Sequence, residues 1–268
     1  MNKQPLITVV TACLNSEKTI RTTIESVLQQ TYQNYEYIIK DGGSKDATVA
    51  IAKEYEAAFG GRLRIVSKKD KCMYEAMNQG VEEARGQIVG IVNSDDFYAP
   101  DALECVAKLW EEADTELLVI IGDMERVDEN GELVYRYHFT QEQVDKKSCF
   151  GHPSMFAAKA VYDRIGLYDT TYKLAADGDW QYRAMEDDKV QVRLCPQVFN
   201  HMREGGASDQ HKYRWVWFRE RTRMQLEHGR GTKAKIWIKE LRKVLVADIK
   251  AIVPKKWMKT VYKMRYGR

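Results

Sequence analysis

Four short apolar runs, at residues 6–12, 35–40, 62–67 and 87–92, alternate with stretches of helical spacing, and this rhythm constrains the fold most. Ile20, Ile24, Val27 and Leu28 recur at the interval that places them on one side of a helix, with Ser16 read as its cap. A second helix is predicted over residues 44–58. Met73, Met77, Val81 and Ala84 mark the inner face of a third, closed by Gly86. Repeated strand–helix units of this length build a parallel sheet covered by helices, and right-handed crossovers make a doubly wound arrangement the natural one. After Pro100 the rhythm changes: a helix over 101–112, a strand over 116–121, then a hairpin over 123–139 around Asn130-Gly131. The expectation is therefore an α/β fold with a mostly parallel, Rossmann-like sheet and a mixed second half.

A chain of 268 residues can form one large domain of this kind, or one domain and an appendage. Charge suggests the second. From Lys212 to the end there are 18 Lys/Arg against 4 Asp/Glu, a surplus of 14 that leaves the first 211 residues at −11 against an overall +3. The predicted division is a catalytic domain over 1–210 and a basic helical extension over 211–268. Cys13, Cys72, Cys105, Cys149 and Cys195 are odd in number and contain no CxxC pair, which argues against a disulfide framework or a zinc site. MNKQPLITVV runs straight into a strand pattern without a signal-peptide layout, and no run of about 18 apolar residues occurs. These features predict a cytoplasmic protein.

Chemistry concentrates where strands end. In IVGIVNSDDFYAP an apolar run stops at Asn93, Ser94, Asp95 and Asp96. Adjacent carboxylates resist burial unless something positive sits beside them, so they either face solvent or hold a cation. Strand two ends in Asp41-Gly42-Gly43-Ser44, which a tight turn before a helix would also explain. Ligands of open α/β sheets bind outside the carboxyl ends of the strands, so Asp41 and Asp95 can share one cleft although 54 positions apart. The first strand leads into Ala12-Cys13-Leu14-Asn15-Ser16 with no GxGxxG, which argues against a dinucleotide-binding Rossmann domain.

The succession TVVTACLN, KDGGSKDAT and KKDKCMYEAMNQGVEEARGQIVGIVNSDD resembles the inverting family 2 glycosyltransferases with a GT-A fold, over roughly residues 5–205. The resemblance implies transfer of a sugar from a nucleoside-diphosphate sugar to a hydroxyl of a glycan or lipid-linked acceptor, in polysaccharide or lipopolysaccharide assembly. It places Asp41 on the nucleotide base, residues 11–15, with Thr11, Ala12 and Asn15, on base and ribose, and Asp70 beside the nucleotide or sugar. NSDD stands where the family carries DxD, so Asp95 is the expected ligand of Mn²⁺ or Mg²⁺, cations that prefer oxygen donors. Asn93 departs from the motif and can bond a ribose hydroxyl without adding charge. Ser94 belongs to the same turn, and Asp96 is a supporting neighbour or an alternative ligand.

In LAADGDWQYRAM, Asp177 matches the family's general base and Ala176 replaces its usual Glu, with Asp179 as runner-up on the acceptor side. The residues alone allow both aspartates to be acidic caps at a helix start. By the same resemblance His152, in GHPSMF, faces the acceptor, although it can equally be a loop histidine. Arg203 in HMREGGAS is a candidate diphosphate contact on a loop whose glycines allow closure. Beyond Gly231, Ile236, Trp237, Leu241, Val244, Leu245, Ile249 and Ile252 keep helical spacing among lysines and arginines. That helix either packs on the catalytic domain or lies on anionic lipid at the inner face of the cell membrane, with Trp257, Tyr262 and Tyr266 at headgroup level. No reader motif accompanies the charge, so nucleic acid is not an expected partner. Two competing functions stand beside the transferase: a silent sugar-nucleotide-binding scaffold, to which Asn93 and Ala176 point, and a nucleotidyltransferase, whose triphosphate loop is not visible.

Overall fold

The computed structural model describes residues 4–206 and 210–252, the last six of these as helix backbone only. Trp257, Tyr262 and Tyr266 lie outside the described residues, as do the side chains of Ile249 and Ile252.

The first half follows the predicted alternation: β1 (Ile7–Cys13), α1 (Ile20–Leu28), β2 (Tyr35–Asp41), α2 (Thr48–Lys53), β3 (Leu63–Ser67), α3 (Met73–Glu83) and β4 (Ile88–Ile91). Then come β5 (Phe97–Tyr98), α4 (Ala102–Glu111), β6 (Leu118–Val127), β7 (Leu133–Tyr137), α5 (Gln141–Asp145), β8 (Met155–Ala158), α6 (Lys159–Ile165), α7 (Ala176–Glu186) and β9 (Gln191–Arg203). Two helices close the described chain, α8 (Arg214–Glu227) and α9 (Lys233–Ile252). All nine strands form one sheet, ordered β3-β2-β1-β4-β8-β6-β9-β5, with β7 on β6. β1, β2, β3 and β4 are mutually parallel, and β8 enters antiparallel between β4 and β6. The result is a mixed sheet whose parallel half sends its carboxyl ends to one edge.

Burial explains the arrangement. Every residue of β1 except Ala12, and every residue of β2, is buried, as strands covered on both faces require. Ile20, Ile24 and Val27 of α1 are fully buried, each contributing about 1.5–3 kcal/mol relative to exposure.

Three predicted elements need correction. α2 begins at Thr48 rather than 44, because the preceding amides are taken: Ser44 N–H by Asp41, Lys45 N–H by Asn15 and Ala47 N–H by Glu17. It also ends early, in tightening turns up to Gly60 and Gly61, both at positive φ. Ser16 does not cap α1. Its carbonyl accepts from Thr19 and Ile20 in a turn before the helix, while its hydroxyl reaches Ser94 at 2.8 Å. Met73 is exposed, and the inner face of α3 is Tyr74, Met77 and Val81.

Candidate active site

The strand ends are stitched into one floor. Asn15, held at φ 53°, donates its backbone N–H to Ser44 Oγ at 2.8 Å and accepts from Lys45 N–H at 2.9 Å. Gly42 N–H bonds the Cys13 carbonyl at 2.9 Å. A side chain on Gly42 would begin 2.6 Å from Asp70 Oδ2, so only glycine lets the Asp70 carboxylate lie over this turn. Burial raises the Asp70 carboxyl, and the charges of Glu75 and Asp41 push the same way.

Around this floor lies a cleft of about 1830 Å³, lined by Ala12, Asn15, Asp70, Asn93, Ser94, Asp95, Asp96, His152, Asp177 and Arg203. Single-ligand sites occupy roughly 300–1,000 Å³, so the space accommodates a donor and an acceptor together. Three expected members do not line it: Thr11, Asp41 and, on the opposite wall, Asp179. Thr11 lies one pleat below the edge, fully buried, with its hydroxyl 2.9 Å from Tyr37 Oη. Asp41, only 1% exposed, is part of the turn itself: its carboxylate accepts from the amides of Gly43 and Ser44 and, at 2.6 Å, from Ser67 Oγ. The expected contact of Asp41 with a nucleotide base therefore meets no open carboxylate edge here.

The two carboxylates of NSDD have unequal surroundings. Asp96 is buried, accepting from Asn93 Nδ2 and from the Arg203 amide, each at 3.0 Å. Burial, reinforced by the Asp95 charge, pushes the Asp96 carboxyl up to about 8. Asn93 thus secures its neighbour through its amide nitrogen while it lines the cleft. Asp95 is partly exposed, and its Oδ2 lies 3.2 Å from where a side chain on Gly206 would start, under the loop that follows β9. Among the described residues no group of three or more His, Cys, Asp or Glu is placed to hold a metal. A partly exposed carboxylate beside a buried one still suits Mg²⁺ or Mn²⁺, which draw remaining oxygens from substrate phosphates and water. Arg203 stacks its guanidinium 5.2 Å from the Phe97 ring centre and leaves Nε buried without a partner.

The opposite wall carries Asp177 in the first turn of α7, where a helix end favours negative charge. Tyr74 Oη, from the buried face of α3, donates to Asp177 Oδ1 at 3.0 Å and fixes its direction. Asp179 points elsewhere. Two residues along a helix turn a side chain by about 200°, and Asp179 is ion-paired to Arg183 at 2.9 Å and within hydrogen-bond distance of His228 Nε2 at 3.0 Å, outside the cleft lining. Its carboxylate holds these contacts rather than facing the cleft. His152 is buried, with Nε2 2.9 Å from Tyr168 Oη, and burial lowers its affinity for a proton.

Residues after 210, predicted as an appendage, supply part of the wall. α8 docks on α7: Glu220 accepts the amides of Lys173, Leu174 and Ala175 at 2.8, 2.8 and 3.1 Å, directly before Asp177. Trp217, Arg221, Met224, Gln225, Arg230 and Lys239 line the cleft. None of these, nor Tyr74, was singled out from sequence. The spacing 217, 221, 224, 225 marks one helix face, but that face is polar and aromatic, so no apolar stripe drew attention to it.

The fold is that of the GT-A glycosyltransferases. The solved structures that resemble it in fold include Staphylococcus aureus TarS 1–349 in complex with UDP-GlcNAc (TM-score 0.63, 19% identity, 88% of this chain and 71% of that one). Another is the mannosyltransferase PcManGT of Pyrobaculum calidifontis in complex with GDP-Man and Mn²⁺ (0.62, 16%, 97% and 74%). The chain spans 42% of a longer TarS structure. Residues 8–166 match the family model for glycosyl transferase family 2, and the chain belongs to that family. A PGL/p-HBAD biosynthesis glycosyltransferase of Mycobacterium bovis (strain BCG / Pasteur 1173P2) is 28% identical over 207 residues, 76% of this chain and 80% of the relative. The chain is a glycosyltransferase.

Proposed function

We propose that the protein is an inverting glycosyltransferase that moves a sugar from a nucleoside-diphosphate sugar to a hydroxyl of a glycan or lipid-linked acceptor, with Asp177 as general base. The observation that carries this reading is that one cleft is lined by both a strand-end carboxylate, Asp95, and a second carboxylate, Asp177, held by Tyr74 on another wall. Ala12, Asn15 and Asp70 would contact the nucleoside, Ser94 and Arg203 the diphosphate side. Asp95 would hold Mn²⁺ or Mg²⁺, whose charge offsets that of the departing diphosphate. Asp177 takes the proton of the acceptor hydroxyl as its oxygen bonds to the anomeric carbon. The bond from that carbon to the diphosphate oxygen breaks with its electron pair, and attack from the opposite face inverts the configuration.

Incubation with UDP- and GDP-sugars, Mn²⁺ and acceptor glycosides tests this, with the product anomer read by NMR. Transfer with inversion is expected; retention of configuration on a productive donor would refute it.

We also propose that α9 brings the enzyme to an anionic membrane surface, where envelope glycans are assembled. Trp237, Ile238, Leu245 and Val246 are exposed on a helix carrying Lys233, Lys235, Lys239 and Arg242. No described helix is long and apolar enough to cross a membrane, so contact would be peripheral. Flotation with phosphatidylglycerol vesicles should recover the full chain and lose a chain cut at 231; equal recovery contradicts the proposal.

A further inference from the structure

The cations of α8, α9 and the turn between them have no task in the donor chemistry just described. Arg221 bonds Glu240 through Nε at 2.9 Å, but Glu240 also accepts from Lys243 at 2.7 Å and Gln225 at 2.9 Å, so two cations share one buried carboxylate. Arg230 pairs with Glu186 at 3.1 Å through one terminal nitrogen, while His228 takes the other oxygen of that carboxylate at 2.8 Å. Lys239 meets only the neutral Gln225 side chain, at 3.2 Å. Arg221, Arg230 and Lys239 all line the cleft, with Lys147 on a further segment held at φ 49°. The wall is therefore positive beyond what its own acids balance.

Two buried donors there are also unsatisfied. Trp217 Nε1 and Arg230 Nε have no hydrogen-bond partner, and both residues line the cleft. Buried donors without partners are rare and call for a missing acceptor. The Arg221 guanidinium lies 5.8 Å from the centre of the Trp217 ring, giving an aromatic plane next to free N–H groups.

This wall adjoins the proposed base. A side chain on Gly178, next to Asp177, would begin 2.9 Å from Met224 Sδ, and Cys149 Sγ sits 3.6 Å from the same point. Burial pushes the Cys149 thiol up to about 11; the Asp177 charge adds to this, while Arg221 and Arg230 oppose it. Met224, on the same helix as Trp217 and Arg221, thus packs against the residue that follows the base.

We propose that the wall formed by Trp217, Arg221, Arg230 and Lys239 is an acceptor subsite for a phosphate group, so that the attacked hydroxyl belongs to a phosphate-bearing glycan or glycolipid. The inference rests on the glycosyltransferase reading, because it assigns the second substrate of the same cleft. Arginine forks match phosphate oxygens in pairs, and lysine adds a point charge. The phosphate can come from a soluble sugar phosphate or from a lipid diphosphate, and the two sources are separable.

The test uses the full chain saturated with Mn²⁺ and UDP or GDP, so that the donor side is filled. Calorimetric titrations compare three probes: methyl N-acetylglucosaminide, N-acetylglucosamine 1-phosphate, and farnesyl-diphosphate-linked N-acetylglucosamine. Phosphate-bearing probes should bind at least about tenfold more tightly than the neutral glycoside. Equal binding of both phosphate probes identifies the phosphate alone as the determinant; preference for the farnesyl probe identifies a lipid source. Arg221→Gln/Arg230→Gln should erase the preference, and Lys239→Gln, at an exposed side chain, should reduce it with the fold intact. Equal affinity for all three probes, no detectable binding of either phosphate probe, or an unchanged preference in both variants overturns the subsite. Failure of UDP and GDP to bind in the first step counts instead against the transferase reading.

Discussion

Glu220 joins α8 to the start of the helix that carries Asp177, and its removal tests whether the carboxy-terminal helices belong to the catalytic machinery. Its carboxylate accepts three consecutive backbone amides, from Lys173, Leu174 and Ala175, at 2.8–3.1 Å. A hydrogen bond to a charged group contributes about 1.5–3 kcal/mol when buried. Glu220 is only half-buried, so water recovers part of that loss, and Glu220→Ala should cost about 2–4 kcal/mol in total. Glu220→Gln keeps one acceptor oxygen but turns an amide N–H toward a backbone N–H, for a cost of about 1–2 kcal/mol. Displacement of a catalytic group by about 1 Å can cost about a hundredfold in rate. Glu220→Ala should therefore lower kcat by about 10- to 100-fold while donor affinity, set at the distant strand ends, stays within about twofold. Urea unfolding gives the stability, calorimetry the donor affinity, and initial rates the kcat. An alanine variant within about 0.5 kcal/mol of wild type and equally active would refute the coupling.

Other perturbations address single contacts. Tyr74→Phe keeps the buried ring and removes the hydroxyl that orients Asp177, so kcat should fall about tenfold with donor KM unchanged; an unaltered kcat counts against the positioning role. Asp95→Asn should raise the Mn²⁺ concentration for half-maximal activity by about tenfold or more, and an identical metal requirement would remove Asp95 as ligand. Burial lowers the proton affinity of His152, so the folded chain keeps it neutral while the unfolded chain takes up a proton as pH falls below the ordinary 6.5. Its contribution to stability is thus complete above that pH and is lost on descending toward the lowered folded value. His152→Gln should flatten this part of the unfolding profile; an unchanged slope between pH 7.5 and about 5 would contradict it.

Sequence spoke most clearly where one physical pattern dominates. The parallel half was legible because buried strands and amphipathic helices alternate without interruption, and their common direction follows from the crossover rule. Asp95 and Asp177 were singled out through a family motif, since by residue type each is also a solvated strand end or an acidic helix cap; the fold brings both to one cleft. Asp41 shows the limit: Asp-Gly-Gly-Ser alone reads first as turn chemistry, the ligand contact comes from the family resemblance, and the bonds to Gly43, Ser44 and Ser67 show the turn. α2 was over-extended because its first amides are claimed by Asp41, Asn15 and Glu17, side chains that local helix patterning does not register. Asp179, the runner-up to Asp177 in sequence, is turned by helix geometry to another side. Tyr74 and the α8 wall were invisible for another reason: their partners are distant in the chain, Tyr74 lying 103 positions from Asp177.

The most direct measurement is the activity of Asp177→Asn. Asparagine preserves the size of the side chain and can still meet the Tyr74 hydroxyl, but it cannot accept the acceptor proton. With Asp177 as general base, transfer should fall by about 10²–10⁴-fold while calorimetric affinity for the sugar nucleotide and Mn²⁺ stays within about twofold. Turnover near that of the wild type would remove Asp177 from the reaction and, with it, the proposed mechanism.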